Sequence, residues 1–274
     1  MEDKHVNRFS AHIGYLYTEL PLVDRIAAAA RDGFTAIEHP EPFAIPAKEM
    51  RERLDDLGLE FCQLSSGLGD PSRSEKGLAA LRGREAEFRQ GFLRALDYAE
   101  AIKARFVHPM AGVPTGGGLD AGETYQANLG WALEACGGTA ARVLIEAITA
   151  PGYYVATLNE AIALQDCFQG RPALLFDTYH AMKLGEDPAR WVEENATRVG
   201  HVHIADYPGR NQPGSGTIDF VAVLRALEGA GYGGAVGFEY VPTESTEQSL
   251  RFLSSWKHLV ASNHFATHHS GANS

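Results

Sequence analysis

Arg142-Val-Leu-Ile-Glu146, Ala173-Leu-Leu-Phe-Asp177, His201-Val-His203 and Ala235-Val-Gly-Phe-Glu239 are four short apolar runs that each end on a residue able to bind a metal ion. Each is strand-like in length, rich in β-branched or aromatic side chains, and preceded by a helical stretch. Read as successive parallel strands, they deliver Glu, Asp, His and Glu to four neighbouring carboxyl ends. In a closed α/β barrel that rim carries the chemistry. One polar residue at a strand end is ordinary, but four in succession mark a site.

Strand and helix signals alternate along the rest of the chain. Strands are expected near Phe9–Ile13, Ala36–Glu38, Glu60–Leu64, Phe106–His108, Val143–Glu146, Ala173–Asp177, His201–Ile204 and Ala235–Glu239. Helices are expected over Leu20–Arg31, Ala47–Leu57, Glu75–Ile102, Gly122–Ala135, Leu158–Cys167, Pro188–Asn195, Phe220–Leu227 and Thr243–Leu259. Eight βα units fit a single (β/α)8 TIM barrel better than an open sheet. Gly33 and Gly58 follow helices where a left-handed C-cap is wanted, and Thr157 with Glu160 has capping-box spacing. The third helix is unusually long, and Leu78-Ala-Ala-Leu-Arg82-Gly83 is where it would break. No repeat or linker divides the chain, so residues 1–262 are expected to form the barrel. Residues 263–274, with His268 and His269, lack apolar periodicity and read as a disordered tail.

Composition narrows the function. The formal net charge is −11, which argues against nucleic acid, because binding phosphates requires a basic surface. No apolar run approaches membrane-spanning length, and the first residues do not read as a secretory signal. Cys62, Cys136 and Cys167 are odd in number and widely spaced, without a metal-type CxxC; a reduced, cytoplasmic compartment with buried thiols follows.

Four consecutive strands of a barrel sweep half the ring, so Glu146, Asp177, His203 and Glu239 can converge. Three carboxylates and one imidazole suit a divalent cation, Mn2+, Mg2+, Co2+ or Zn2+, with no thiolate to enforce zinc. Three buried carboxylates without a cation would repel at a cost of several kcal/mol or more, roughly. Such an ion leaves room for two neighbouring oxygens of a small hydroxy-carbonyl substrate and polarises its carbonyl. Glu146 and Glu239 occupy the two ends of the arc and suit a proton shift, one removing and one supplying a proton. Asp177 and His203 anchor the ion.

His180 stands three residues after Asp177, within reach of a substrate oxygen. Arg210 in Asp206-Tyr-Pro-Gly-Arg210 suits a carboxylate, because its fork can bind both oxygens. His108 and His39 also fall at strand ends. The loop Met110-Ala-Gly-Val-Pro-Thr-Gly-Gly-Gly-Leu119 lies on the same rim and can be a lid or merely mobile; its glycines form no phosphate fingerprint.

The chain resembles the hydroxypyruvate isomerase family of xylose isomerase-like TIM barrels. The resemblance rests on Tyr17-Thr-Glu-Leu-Pro21, Gly33-Phe-Thr-Ala-Ile-Glu38, His108-Pro-Met-Ala-Gly112, Ile145-Glu146, Phe176-Asp-Thr-Tyr-His180, Gly200-His-Val-His-Ile-Ala-Asp206, Pro208-Gly-Arg210 with Pro213-Gly-Ser-Gly216, and Gly237-Phe-Glu-Tyr240. It implies metal ligation by the positions of Glu146, Asp177 and Glu239, and an acid/base pair in the two Glu. There is one departure. Isomerases of this family usually carry Gln where His203 stands, whereas the related ketose 3-epimerases carry His. The leading expectation is therefore a metal-dependent isomerase of hydroxypyruvate or a 2-oxo-tetronate, with Arg210 on the substrate carboxylate. A ketose 3-epimerase acting on a neutral sugar is the nearest rival. A dehydratase of an inosose-like ketone and a non-catalytic binding protein are the others. A homo-oligomer paired through its helices is open, with Trp131, Trp191 and Trp256 as candidate contacts.

Overall fold

The computed structural model describes residues 8–73, 75–114, 118–254 and 256. The strands are β1 (Phe9–His12), β2 (Ala36–Glu38), β3 (Glu60–Phe61), β4 (Gln63–Ser66), β5 (Phe106–Pro109), β6 (Arg142–Glu146), β7 (Ala173–Asp177), β8 (Val199–Ile204) and β9 (Val236–Phe238). All pair in parallel, in the order β3-β2-β1-β9-β8-β7-β6-β5-β4. The two ends of that order are one stretch of chain interrupted at Cys62. The Cys62 amide donates to the Ile37 carbonyl at 2.8 Å and its own carbonyl accepts from the Phe106 amide at 3.0 Å, so the ladder continues through the gap. The nine segments are thus eight staves of a closed (β/α)8 barrel, which leaves no free sheet edge.

Most of these strands are buried along their whole length. Helices cover their outer face and side chains fill the barrel, which is why the runs read as continuously apolar. Phe106, Leu144, Ala173 and Leu175 form a small cluster of their own, separate from the main core, and Ala36, Cys62 and Ala235 form another. Along β5, β6, β7 and the run into β9, the residues two or four positions further on are His108, Glu146, Asp177 and Glu239. The two-residue period of a strand therefore raises the inward stripe from apolar floor to polar rim.

The helices are α1 (Leu22–Arg31), α2 (Ala47–Leu57), α3 (Glu85–Ile102), α4 (Gly118–Ala135), α5 (Leu158–Cys167), α6 (Thr178–Lys183), α7 (Pro188–Asn195), α8 (Phe220–Gly229) and α9 (Thr246–Ser249). The capping box at Thr157 forms as expected: the Glu160 amide donates to its hydroxyl at 3.2 Å, and the Thr157 amide donates to the Glu160 carboxylate at 2.9 Å. Gly58 takes the left-handed conformation after α2, with φ 65°.

Some expectations change. α3 starts at Glu85, ten residues later than its pattern suggested, because the chain before it is occupied elsewhere. Gly77 has φ 141°, the Leu78 and Ala79 amides both donate to the Met110 carbonyl at 3.1 Å, and this segment lies along the loop after β5. α6 was not foreseen; Asp177 caps it. Of the cysteines only Cys62 is buried, while Cys136 is half-buried and Cys167 exposed. Trp191 and Trp256 belong to the chain's own core, Trp191 stacking on Phe176 at 4.3 Å, so neither offers a free face to a partner. The proposed tail 263–274 lies outside the described residues, as do 115–117 of the glycine loop. No helix among the described residues is long and apolar enough to cross a membrane.

Candidate active site

One irregularity aims the polar residues of β8 inward. The β7–β8 ladder begins with Leu174 opposite Val199 but continues with Leu175 opposite His201, so Gly200 is an extra residue on β8. Without that bulge Asp177 would face Val202, whose side chain belongs to the outer core. With it, Asp177 faces His203. Gly200 has no room for more: a Cβ there would lie 2.6 Å from that of Ala173.

The expected quartet converges. Glu146, Asp177, His203 and Glu239 each place one ligand-type atom within 4.8 Å of the others, and together they could hold a metal ion. Asp177 divides its two oxygens. Oδ1 accepts from the Tyr179 and His180 amides at 2.7 and 3.1 Å and caps α6. Oδ2 is buried without a hydrogen-bond partner among the described residues, as is His203 Nδ1. Orphaned buried polar atoms are costly. The free atoms and the carboxylate-rich donor set fit a divalent cation.

The two glutamates sit in opposite charge environments. Burial and the neighbouring Glu239 charge push the Glu146 carboxyl well above the ordinary range. His108 and His180 approach it at 3.8 and 3.9 Å, but burial keeps both imidazoles toward the neutral form, His108 down to about 3. Burial would raise Glu239 too, yet the Arg210 guanidinium and the His203 imidazole outweigh it and hold this carboxyl well below the usual range. His12 Nε2 lies 3.5 Å from its other oxygen. Pushing paired carboxyls apart in this way is how an acid and a base are set side by side.

Arg210 arrives on a strap, the loop after β8. Asp206 pins both ends: its carboxylate accepts from the Tyr207, Gly214, Gly216 and Ile218 amides at 2.9, 2.9, 2.8 and 3.1 Å. Gly216 is required, because a Cβ there would collide with the Tyr207 carbonyl. At the top of the strap Arg210 has φ 55°, and its guanidinium pairs with Glu239 and lies 3.7 Å from Asp177.

Above the cluster is a cavity of about 610 Å3. His108, His180 and Arg210 all line it, as expected for substrate contacts. His39 does not; its Nδ1 accepts from the Glu41 amide at 3.0 Å and holds a turn. Tyr15, Tyr179 and Lys183 also line the cavity and had no distinguishing sequence signal. Glu38 was noticed only as a strand end. It lies fully buried beneath His203 and His201, accepting from Nε2 of each at 2.9 and 2.8 Å.

Comparison with known proteins agrees with this architecture. Residues 26–256 match the family model described as xylose isomerase-like TIM barrel. A Cupriavidus necator protein named 2-oxo-tetronate isomerase is 36% identical over 256 residues, covering 90% of this chain and 97% of that one. The Escherichia coli hydroxypyruvate isomerase is 30% identical over 259 residues, covering 91% and 99%. A crystal structure described as an AP endonuclease, family 2, from Brucella melitensis superimposes with a TM-score of 0.87 at 31% identity, covering 91% of this chain and 99% of that one. With its closed barrel and the match over most of its length, the chain belongs to the xylose isomerase-like TIM barrel family.

Proposed function

We propose that this protein is a divalent-metal-dependent isomerase of small hydroxy-carbonyl acids of the hydroxypyruvate or 2-oxo-tetronate type. The observation that carries the reading is the pair Glu146 and Glu239, set at two ends of one ligand cluster in opposite charge environments. The names of the Cupriavidus necator and Escherichia coli relatives support the same substrate class. An endonuclease role suits the chain poorly, since its net charge is −11.

Glu146, Asp177, His203 and Glu239 would hold the ion, with Mn2+, Mg2+, Co2+ and Zn2+ all compatible with the donors. When bound, it supplies Lewis-acid polarisation of the substrate carbonyl. The chain's own groups do the rest. Glu239, kept ionised by Arg210, accepts the proton of the hydroxyl-bearing carbon. Glu146 returns a proton to the neighbouring carbon while the hydroxyl proton passes to the former carbonyl oxygen, and the same two groups exchange roles in reverse. His180 Nε2 and His108, buried and kept toward the neutral form, would hydrogen-bond the two substrate oxygens. The Nδ1 of His180 is held by the Thr149 hydroxyl at 2.7 Å, which fixes its ring. Arg210 lines the cavity, and its guanidinium would meet a substrate carboxylate there.

The test is proton NMR in D2O on the Mg2+-loaded protein with hydroxypyruvate and, separately, a neutral ketose. Deuterium entering hydroxypyruvate while tartronate semialdehyde forms is the expected result, and Glu239→Gln should abolish it. Exchange only with the ketose, giving a new diastereomer, would move the assignment to a 3-epimerase. Water loss from an inosose would make it a dehydratase, and no exchange with any substrate would leave a binding protein.

A further inference from the structure

Beneath the ligand cluster lie two titratable side chains that the proposed chemistry does not use, Glu38 and His201. Glu38, at the end of β2, is fully buried in the barrel interior. One of its oxygens, Oε2, meets two imidazoles at once, His201 Nε2 at 2.8 Å and His203 Nε2 at 2.9 Å. The two rings stand nearly perpendicular, with centroids 5.0 Å apart. The other ring nitrogen of His203, Nδ1, points to the opposite side and lies 3.4 Å from Glu239. His203 therefore spans two layers, with Glu38 at one nitrogen and the ligand cluster at the other.

Space has been cleared for this arrangement. At Gly237, opposite His203 in the β8–β9 ladder, a Cβ would collide with Glu38 Oε1 and come within 2.8 Å of His203 Cδ2 and 2.9 Å of His201 Nε2. Glycine in the middle of a strand is otherwise unfavourable, and it commonly marks a close approach of this kind. A buried carboxylate supplied with two donors, and room made for it by a glycine, is a costly construction if its purpose is only to fill the barrel.

We propose that Glu38 is a positioning residue for metal binding: by accepting from His203 Nε2–H it fixes the imidazole tautomer and ring plane so that the Nδ1 lone pair faces the ion. An ionised carboxylate can only accept, so the nitrogen beside it must carry the proton. In the neutral imidazole that metal binding requires, this leaves the other nitrogen as the acceptor. His201, held at the same oxygen, is the second brace: it fixes the carboxylate and is not one of the four residues of the ion cluster. Outer-shell carboxylates of this kind change metal affinity by about 10–100-fold.

The inference rests on the metal-site reading, and the experiment separates the two. Mn2+ affinity is measured by isothermal titration calorimetry on wild type, Glu38→Gln, His203→Gln and the double variant, each checked for native circular dichroism. Glu38→Gln keeps the shape but offers an amide that can donate to the imidazole. It should weaken Mn2+ binding by about 10–100-fold in the wild-type background. In the His203→Gln background, where no imidazole transmits the effect, it should change binding less than about twofold. An equal effect in both backgrounds, or none in either, overturns the role of Glu38 while leaving the metal site intact. Failure of wild type to bind Mn2+ overturns both. Should Glu38→Gln not fold, 15N-detected histidine NMR of the Mg2+-saturated wild type gives the answer directly. His203 is expected to carry its proton on Nε2, and a proton on Nδ1 would refute the proposal.

Discussion

Arg210 is the ion-pair partner of Glu239, and it reaches that carboxylate between two aromatic faces, 5.3 Å from the ring centre of Tyr15 and 5.5 Å from that of Tyr179. The two rings hold the guanidinium plane, so its position does not depend on the ion pair alone. The pairing in turn makes the two glutamates unlike, since the imidazoles that approach Glu146, His108 and His180, are kept toward the neutral form by burial.

Arg210→Ala should therefore do two things: raise the Glu239 carboxyl toward the ordinary range and remove the donor for a substrate carboxylate. On hydroxy-carbonyl acids kcat/KM is expected to fall about 100-fold, or about 2.7 kcal/mol, in the range of lost charge-assisted hydrogen bonds. On neutral ketoses the loss should be at least tenfold smaller. Steady-state kinetics on both substrate kinds decides it, and equal losses would remove the carboxylate-binding role.

Gly237→Ala tests the tight packing under the cluster. The added methyl has no space beside Glu38 and His203, and overpacking a filled interior costs about 1–3 kcal/mol. Thermal denaturation should show a lower midpoint, and Mn2+ affinity should fall with it. An unchanged midpoint would mean that the β8–β9 pair gives way more easily than its close packing implies.

Glu75 supplies a pH dependence away from the ligands. Its carboxylate accepts from the Asp70 amide at 2.8 Å and from Arg84 at 2.6 Å, with Arg73 at 3.3 Å. The amide, then Arg84 and Arg73, hold this carboxyl below the ordinary glutamate range. A depressed carboxyl contributes stability above its unfolded value and loses it as pH falls through the folded value. The segment it holds brings Leu68, Pro71 and Lys76 to the cavity wall. Hydrogen exchange of residues 68–78 should accelerate as pH falls below about 4, relative to the intrinsic rate, given an unfolded glutamate value of about 4.3. Glu75→Gln should flatten that response; a variant that keeps the wild-type slope would assign the effect to another group.

Chelation gives a further test. Three carboxylates meet in the cluster, and an ion that binds only the folded chain stabilises it by about 2.7 kcal/mol at 100 times its Kd. Treatment with EDTA should lower the melting midpoint by several degrees and Mn2+ should restore it. In Asp177→Asn the recovery should be much smaller. A midpoint indifferent to both reagents would be incompatible with the metal site.

Much of this site was legible because it is written in short-range order. Glu146, Asp177, His203 and Glu239 each close an apolar run, and strand periodicity alone sends them to one rim. What escaped the sequence depends on contacts between distant segments. Glu38 meets His201 and His203 across more than 160 positions of chain, and nothing local to Ala36–Glu38 distinguishes a buried brace from an ordinary strand end. The start of α3 was misplaced for a similar reason: Glu75–Arg84 has helical composition, but the Met110 carbonyl and the conformation of Gly77 hold it as a loop. The Gly200 bulge left a trace, a small residue directly before His201-Val-His203. Its consequence, the exchange of Val202 for His203 opposite Asp177, appears only once β7 is laid alongside.

The strap carrying Arg210 has a consequence for redesign. The Asp206 carboxylate gathers four amides at the two ends of the strap, and Asn211 and Gln212 tie its tip to Val241 and Thr243, so the strap is a cassette held at two places. The side chain at position 210 can be exchanged while Asp206, Gly214 and Gly216 keep the ends and Asn211 and Gln212 keep the tip. Different side chains can then be presented to the Glu239 side of the cavity on an unaltered ring of strands. Changing what the barrel accepts then calls for a new partner for Glu239 on the strap, with no need to rebuild the staves that carry the candidate ligands.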